Sequence, residues 1–123
     1  MSASTPAPTA SATLREVSGL PGTLPRLAES TLIMIDFQNT YRSGVMALEG
    51  AEQALAAGAR LLAAARAAGI PVVHVVNDGG EGTPYDIRAE IGAISPEVAP
   101  LEGEPVVVKQ VPYAFQATEL EKT

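Results

Sequence analysis

The chain has 123 residues, of which 46% are hydrophobic and only 4% aromatic, and its formal net charge at pH 7 is −6. This length suits one domain, and the apolar content argues against global disorder. The negative charge and the scattered positions of the eight Lys and Arg residues argue against nucleic acid as a partner. Because there is no cysteine, these residues can form neither a disulfide nor a cysteine-ligated metal site.

The first 30 residues contain no clear signal for a helix or a strand. Apart from Met1, residues 1–13 are only Ala, Ser, Thr and Pro, which predicts a flexible tail. Residues 14–30 contain irregularly spaced Gly and Pro, which predict a loop leading into the first strand. No apolar run is long enough to span a membrane, and the N-terminus lacks the features of a secretory signal. We therefore expect a cytoplasmic protein with no membrane partner.

From residue 31 onward, the pattern alternates between strands and helices. Three short apolar runs predict buried strands, at residues 31–35, 72–76 and 105–108. Residues 51–68 are rich in strong helix formers and predict a helix that ends at Gly69. We expect a long loop between the second and third strands with a short helix around residues 87–91, and the start of a further helix at residues 115–123.

This order predicts an α/β fold, a three-layer αβα (Rossmann-like) parallel sheet. A parallel sheet is normally covered on both faces, and one full helix covers only one of them. Residues 31–123 are therefore expected to form the N-terminal part of a domain, and a missing C-terminal half is expected to complete it. The uncovered apolar faces also allow a homo-oligomer.

Two ionisable residues follow strands of this predicted sheet. Asp36 comes directly after the first strand and Lys109 after the third. Ligands of open parallel sheets bind at the carboxyl ends of the strands, so we expect these two side chains to meet over one crevice at adjacent strand tips. Such a pair can deprotonate a nucleophile and stabilise it as an anion. From spacing alone, a purely structural ion pair is an equally good interpretation.

Two stretches around these residues have the motifs of a known family. LIMIDFQNTY, residues 32–41, is an apolar strand followed by D-x-Q-x-x-[FY], with Asp36, Gln38 and Tyr41 in place. VVVKQVPYAFQATEL, residues 106–120, fits K-x-x-x-x-A-F-x-x-T-x-L. With RAAGIPVVHV between them, these stretches resemble the isochorismatase-like cysteine hydrolases over most of residues 31–123.

The resemblance implies a catalytic Asp-Lys-Cys triad acting on a small-molecule substrate. Asp36 would be the base that activates the thiol, and Lys109 would stabilise the thiolate. The family's cysteine begins a helix after a further strand, outside the residues present here. We therefore predict a hydrolase of an amide, imide or ether-like bond that is inactive as this fragment alone.

Other residues of the two motifs are candidates for supporting roles. Tyr41, Tyr113 and Phe115 are candidates for an apolar substrate pocket, although plain packing is an equally good interpretation for each. Gln38 is expected to order the loop after the first strand through backbone hydrogen bonds, and Thr118 is expected to give structural support.

No metal or cofactor is predicted. Metal-dependent relatives such as nicotinamidases carry D-x-H after the second strand, whereas residues 77–86 read NDGGEGTPYD, without histidine. The glycine cluster in this stretch lacks the Lys-Ser/Thr ending of a phosphate loop and is interpreted as a flexible loop.

Two other functions fit parts of the sequence. One is a non-catalytic binding or interaction module of the same fold. The other is an Asp-based phosphoryl-transfer domain, such as a haloacid-dehalogenase-like phosphatase. That enzyme needs a second acid two residues after the strand-end aspartate, and this position is occupied here by Gln38.

Overall fold

The protein is a small parallel sheet with one long helix on one face. A computed structural model describes residues 11–112, 114–115 and 118–123. The regular elements, in chain order, are α1 (Leu14–Val17), β1 (Leu32–Ile35), α2 (Ala51–Ala67), β2 (Val72–Asn77) and β3 (Val106–Lys109). Short 3-10 turns occur at Leu27–Glu29, Asn39–Tyr41, Glu90–Gly92, Pro96–Val98 and Leu120–Lys122.

The three strands are parallel and lie in the order β1-β2-β3. The central strand β2 is buried along almost its whole length, as its continuous valine-rich sequence predicts for a strand with both faces covered. On the face toward α2, buried apolar side chains from strands, helix and loop form one cluster: Met34, Leu55, Leu62, Ala65, Val72 and Val98. The predicted strands and the predicted long helix are therefore present, with ends that differ by at most one residue.

The opposite face of the sheet is covered by a shorter segment. Leu120 packs there against the valines at 73, 75 and 107, and Ala114 lies against the same cluster. The prediction of a helix at residues 115–123 is wrong for the described part of this stretch, which contains the 3-10 turn Leu120–Lys122. A first helical turn costs more free energy than one hydrogen bond returns, so a short turn held by apolar packing is the stable alternative.

The loops also differ in detail from the sequence prediction. Residues 14–30 contain the single helical turn α1, which Thr13 and Glu16 stabilise by a reciprocal capping box. The short helix expected around residues 87–91 is instead the 3-10 turn Glu90–Gly92. The α2 helix ends as predicted, because Gly69 has a left-handed φ of 70°. Within the described residues, no helix is long and apolar enough to cross a bilayer.

Candidate active site

Asp36 and Lys109 meet at the carboxyl end of the sheet. Lys109 Nζ lies 3.2 Å from Asp36 Oδ2, and the exposed fractions of the two side chains are 3% and 26%. The expectation of adjacent strand tips is wrong, because β2 lies between β1 and β3. The lysine side chain is long enough to cross the tip of β2 at Asn77, the residue that pairs with Lys109 in register.

The backbone and side chain of Asp36 both have unusual features. Its φ of 62° is left-handed, a conformation that only glycine and short polar residues such as Asp adopt readily. Its Oδ1 atom is buried and has no hydrogen-bond partner among the described residues, whereas Oδ2 is bonded to Lys109. A buried unpaired oxygen is costly. Such an oxygen is available to a group that enters the site.

Gln38 holds the end of β1, the end of β2 and the following loop together. It is buried, and its Nε2 donates to the carbonyl oxygens of Asn77 (3.0 Å) and Gly92 (2.7 Å). Its Oε1 accepts from the N–H of Asn77 at 2.9 Å. Since these bonds occupy the amide, Gln38 fixes the backbone beside Asp36, and it cannot act as the second acid of a phosphatase.

A cavity of about 360 Å³ opens beside the Asp36–Lys109 pair. The described side chains that line it are those of Asp36, Tyr41, Asn77, Tyr85, Lys109, Gln110, Val111 and Pro112. Tyr85 Oη donates to Tyr41 Oη at 3.0 Å, and the two rings are 5.8 Å apart at 75°. Burial, the hydrogen bond with Tyr85 and the nearby charge of Asp36 raise the pKa of Tyr41, so its hydroxyl is neutral.

Asn77 and Tyr85 are site residues that the sequence reasoning missed. The rule that ligands bind at the carboxyl ends of strands applies to β2 as well as to its neighbours, and Asn77 is the last residue of β2. That signal could have identified Asn77. Tyr85 lies in a long loop, and no local pattern in the sequence places it against Tyr41.

The predicted roles of the three C-terminal candidate residues, Tyr113, Phe115 and Thr118, have different outcomes in the structure. Phe115 is 47% exposed and is not among the described residues that line the cavity. Thr118 donates from Oγ1 to the carbonyl oxygen of Ala114 and accepts from the N–H of Leu120, so it stabilises the segment that covers the sheet. Tyr113 lies outside the described residues.

The loop after β2 is tied together by charged groups. Arg88 donates to both carboxylate oxygens of Asp78, at 2.9 and 3.0 Å, and its Nε lies 3.0 Å from Asp86 Oδ1. Arg88 lowers the pKa of Asp78, and the backbone N–H of Gly82 lowers that of Asp86. Among the described residues, no three His, Cys, Asp or Glu side chains are grouped so that they could hold a metal ion.

Comparison with known proteins identifies the family. Residues 30–123 match the family model of the Isochorismatase domain. The chain belongs to the isochorismatase family. The structure of an isochorismatase from Pseudomonas putida is 39% identical to it with a TM-score of 0.83, and the match covers 94% of this chain and 58% of that one. The predicted resemblance and the predicted three-layer α/β fold are confirmed.

Two further relatives in this family are similar in sequence. A secreted isochorismatase effector of Verticillium dahliae is 33% identical over 88% of this chain and 57% of its own length. An isochorismatase family protein of Bacillus subtilis is 38% identical over 74% of this chain and 52% of its own length. The chain thus spans between 52% and 58% of these three proteins. Because one relative is named as secreted, a cytoplasmic location stays a prediction.

Proposed function

We propose that this chain supplies the base and the lysine of a metal-independent cysteine hydrolase that acts on a small molecule. Asp36 is the base and Lys109 the cation of the site, and the cysteine nucleophile comes from polypeptide outside these 123 residues. The bond that is cleaved is of the amide, imide or ether-like class. Family membership and the isochorismatase fold support this assignment at the level of a hydrolase.

The observation that carries the proposal is that only one of the two carboxylate oxygens of Asp36 has a hydrogen-bond partner among the described residues. Oδ2 is bonded to Lys109, while the buried Oδ1 has no partner among the described residues. A carboxylate in this state can take a proton through Oδ1 without releasing the lysine. The nearby ammonium of Lys109 then stabilises the anion that proton removal creates.

The reaction on an amide would proceed in two stages. The thiol gives its proton to Asp36 Oδ1, the thiolate attacks the carbonyl carbon, and a C–S bond forms. When the C–N bond breaks, the departing nitrogen takes the proton from Asp36. A water molecule then hydrolyses the thioester and regenerates the thiol. Asp36 therefore acts first as a base and then as an acid, and Lys109 stays charged throughout.

The cavity chemistry supports a reaction without a metal. Lys109 is the cation beside the reacting carboxylate. The carboxylates of Asp78 and Asp86, each next in the chain to a residue that lines the cavity, are bonded to Arg88 and to backbone N–H groups rather than directed at a shared point.

A substrate screen with matched variants tests the proposal. The intact protein, including the polypeptide that carries the cysteine, is assayed on a panel of small amides and imides with and without a chelator. Asp36→Asn and Lys109→Met should each lower kcat/KM by roughly 100- to 10,000-fold, while the exposed change Glu29→Gln should leave it unchanged. Full activity in Asp36→Asn, or its loss on chelation, would contradict the proposal.

A further inference from the structure

The side chain of Asn77 is a half-buried polar group of the cavity that the proposed reaction does not use. Its backbone N–H and carbonyl are both bonded to Gln38, which fixes its position at the tip of β2. By register it shares a face of the sheet with Lys109, and it lines the cavity next to the Asp36–Lys109 pair. The side-chain amide makes no hydrogen bond within the described residues, so its donors and its acceptor are available to a ligand.

The lysine that lines the cavity, and the arginines of the segments that carry the two lining tyrosines, are all bonded to carboxylates. Lys109 is bonded to Asp36. In the loop that carries Tyr85, Arg88 is bonded to two aspartates, Asp78 and Asp86. The arginine that follows Tyr41 in the chain is bonded to Glu52 and Glu97. An anionic ligand would have to compete with these carboxylates, in a chain whose net charge is already −6.

The part of the cavity wall that the two tyrosines form is neutral. Tyr41 and Tyr85 present aromatic rings and a hydrogen-bonded pair of hydroxyl groups. Such a wall accepts an apolar or aromatic substituent and offers no charge to balance a carboxylate.

From these contacts we infer that the site binds a neutral substrate whose carboxamide-type group is recognised by the side chain of Asn77. A carboxamide carries one acceptor and one donor group, which match the NH₂ and carbonyl of asparagine. The substrate then lies with this group beside Asp36 Oδ1 and its remaining part against the tyrosine pair. The inference rests on the proposed function, because it concerns the same cavity.

Binding of a matched pair of probes tests the inference without requiring turnover. The intact protein is titrated with benzamide and, separately, with benzoate, and the side-chain NH₂ signal of Asn77 is followed by ¹⁵N NMR. We expect benzamide to shift that signal and to bind at least about tenfold more tightly than benzoate, a free-energy difference of about 1.4 kcal/mol.

Two variants separate hydrogen bonding from charge. Asn77→Leu removes the amide and adds no charge, and Asn77→Asp replaces the donors with a carboxylate. Each should weaken benzamide binding by about tenfold, while the same amide-to-acid change at the exposed residue Gln53 should have no effect. The remaining NMR signals report whether each variant is folded.

The outcomes separate this inference from the proposed hydrolysis. Benzoate binding as tightly as benzamide, or unchanged benzamide binding in folded Asn77→Leu, would overturn the inference even if amides are hydrolysed. The expected pattern of binding in a protein that hydrolyses nothing would uphold the inference and contradict only the proposed reaction.

Discussion

At Asp36, one residue combines a left-handed backbone, a buried free oxygen and a bond to a buried lysine. The left-handed φ turns the chain at the end of β1, which directs the carboxylate over the tip of β2. Strain and unpaired polar atoms of this kind are maintained only where the surrounding structure holds them, and they are concentrated at functional sites. Gln38, bonded to the end of β2 and to the loop at Gly92, supplies that support here.

Removing the charge of Asp36 should destabilise the fold. In Asp36→Asn the ammonium of Lys109, 3% exposed, loses its partner, and an unpaired buried charge is costly. Because Asp36 is partly exposed, we expect a loss of roughly 2 kcal/mol in the free energy of unfolding, measured by urea denaturation.

Two further variants serve as controls for this prediction. Asp36→Asn combined with Lys109→Met should recover much of the loss, because the unpaired ammonium is removed as well. Glu29→Gln breaks the exposed pair with Arg26 and should change stability by less than about 0.5 kcal/mol. An equal effect of Asp36→Asn and Glu29→Gln would contradict the prediction.

At the scale of elements, the strands and the long helix could be predicted because their signals are local. Runs of valine and isoleucine indicate buried strands, and an alanine- and leucine-rich stretch ended by glycine indicates a helix. The close approach of Asp36 and Lys109 could also be predicted, since both follow strands of one sheet. Their catalytic role stays a prediction.

Contacts between distant parts of the chain could not be predicted in this way. The pairing of Tyr41 with Tyr85 depends on the path of a long loop. Arg66, near the end of α2, donates to both oxygens of Glu104. Gly58 is buried in α2 because the ring of Phe37 occupies the space that a side chain would need. None of these partners is adjacent in sequence.

The close approach of Phe37 to Gly58 predicts an unusual mutational effect. Alanine is favoured over glycine in a helix by about 1 kcal/mol, but the added Cβ of Gly58→Ala would overlap the Phe37 ring. We expect a net loss of roughly 1–2 kcal/mol, as for other overpacked sites, measured by urea denaturation. Adding Phe37→Leu should restore stability, whereas a more stable single variant would contradict the packing described here.

The contacts of Glu104 with Arg66 and His74 predict that the stability of the fold depends on pH. The hydrogen bonds from Arg66 are the main cause that lowers the pKa of Glu104 to about 2, and His74 Nε2 lies 2.9 Å from the same carboxylate. Because the folded pKa is below the unfolded one, the unfolded state binds more protons at acid pH. The stabilisation is therefore complete above about pH 4.5 and is lost as pH falls toward 2.

Glu104→Gln isolates this contribution. Between pH 6 and pH 2, the free energy of unfolding of the native protein, measured by urea denaturation, should fall by an amount on the order of 2 kcal/mol. This fall should be absent in the variant. Parallel stability curves for the two proteins would contradict the assignment.

At the scale of the whole molecule, both outer strands present apolar side chains to solvent. Ile33 and Ile35 on β1 and Val106 and Val108 on β3 are between 39% and 47% exposed. By register the two isoleucines share a face of the sheet with Val73 and Val75, and the two valines lie on the other face, so they form two separate patches. Exposed apolar patches often mark an interface. We predict a homo-oligomer, with light scattering of the intact protein giving at least a dimer. The double variant Val106→Lys/Val108→Lys should lower the mass if β3 contributes to the contact, and a monomeric native protein would contradict the prediction.

The most direct test of the proposed site measures thiol reactivity in the intact protein. The rate of alkylation by iodoacetamide is followed against pH, together with intact mass, in the native protein and in Lys109→Met. We predict one thiol that reacts fast at pH values well below the usual cysteine pKa of about 8.5. In the variant, the rate of this reaction near neutral pH should fall by at least about tenfold. A protein with no thiol, or one whose thiol reacts equally fast without Lys109, would contradict the Asp36–Lys109–cysteine site.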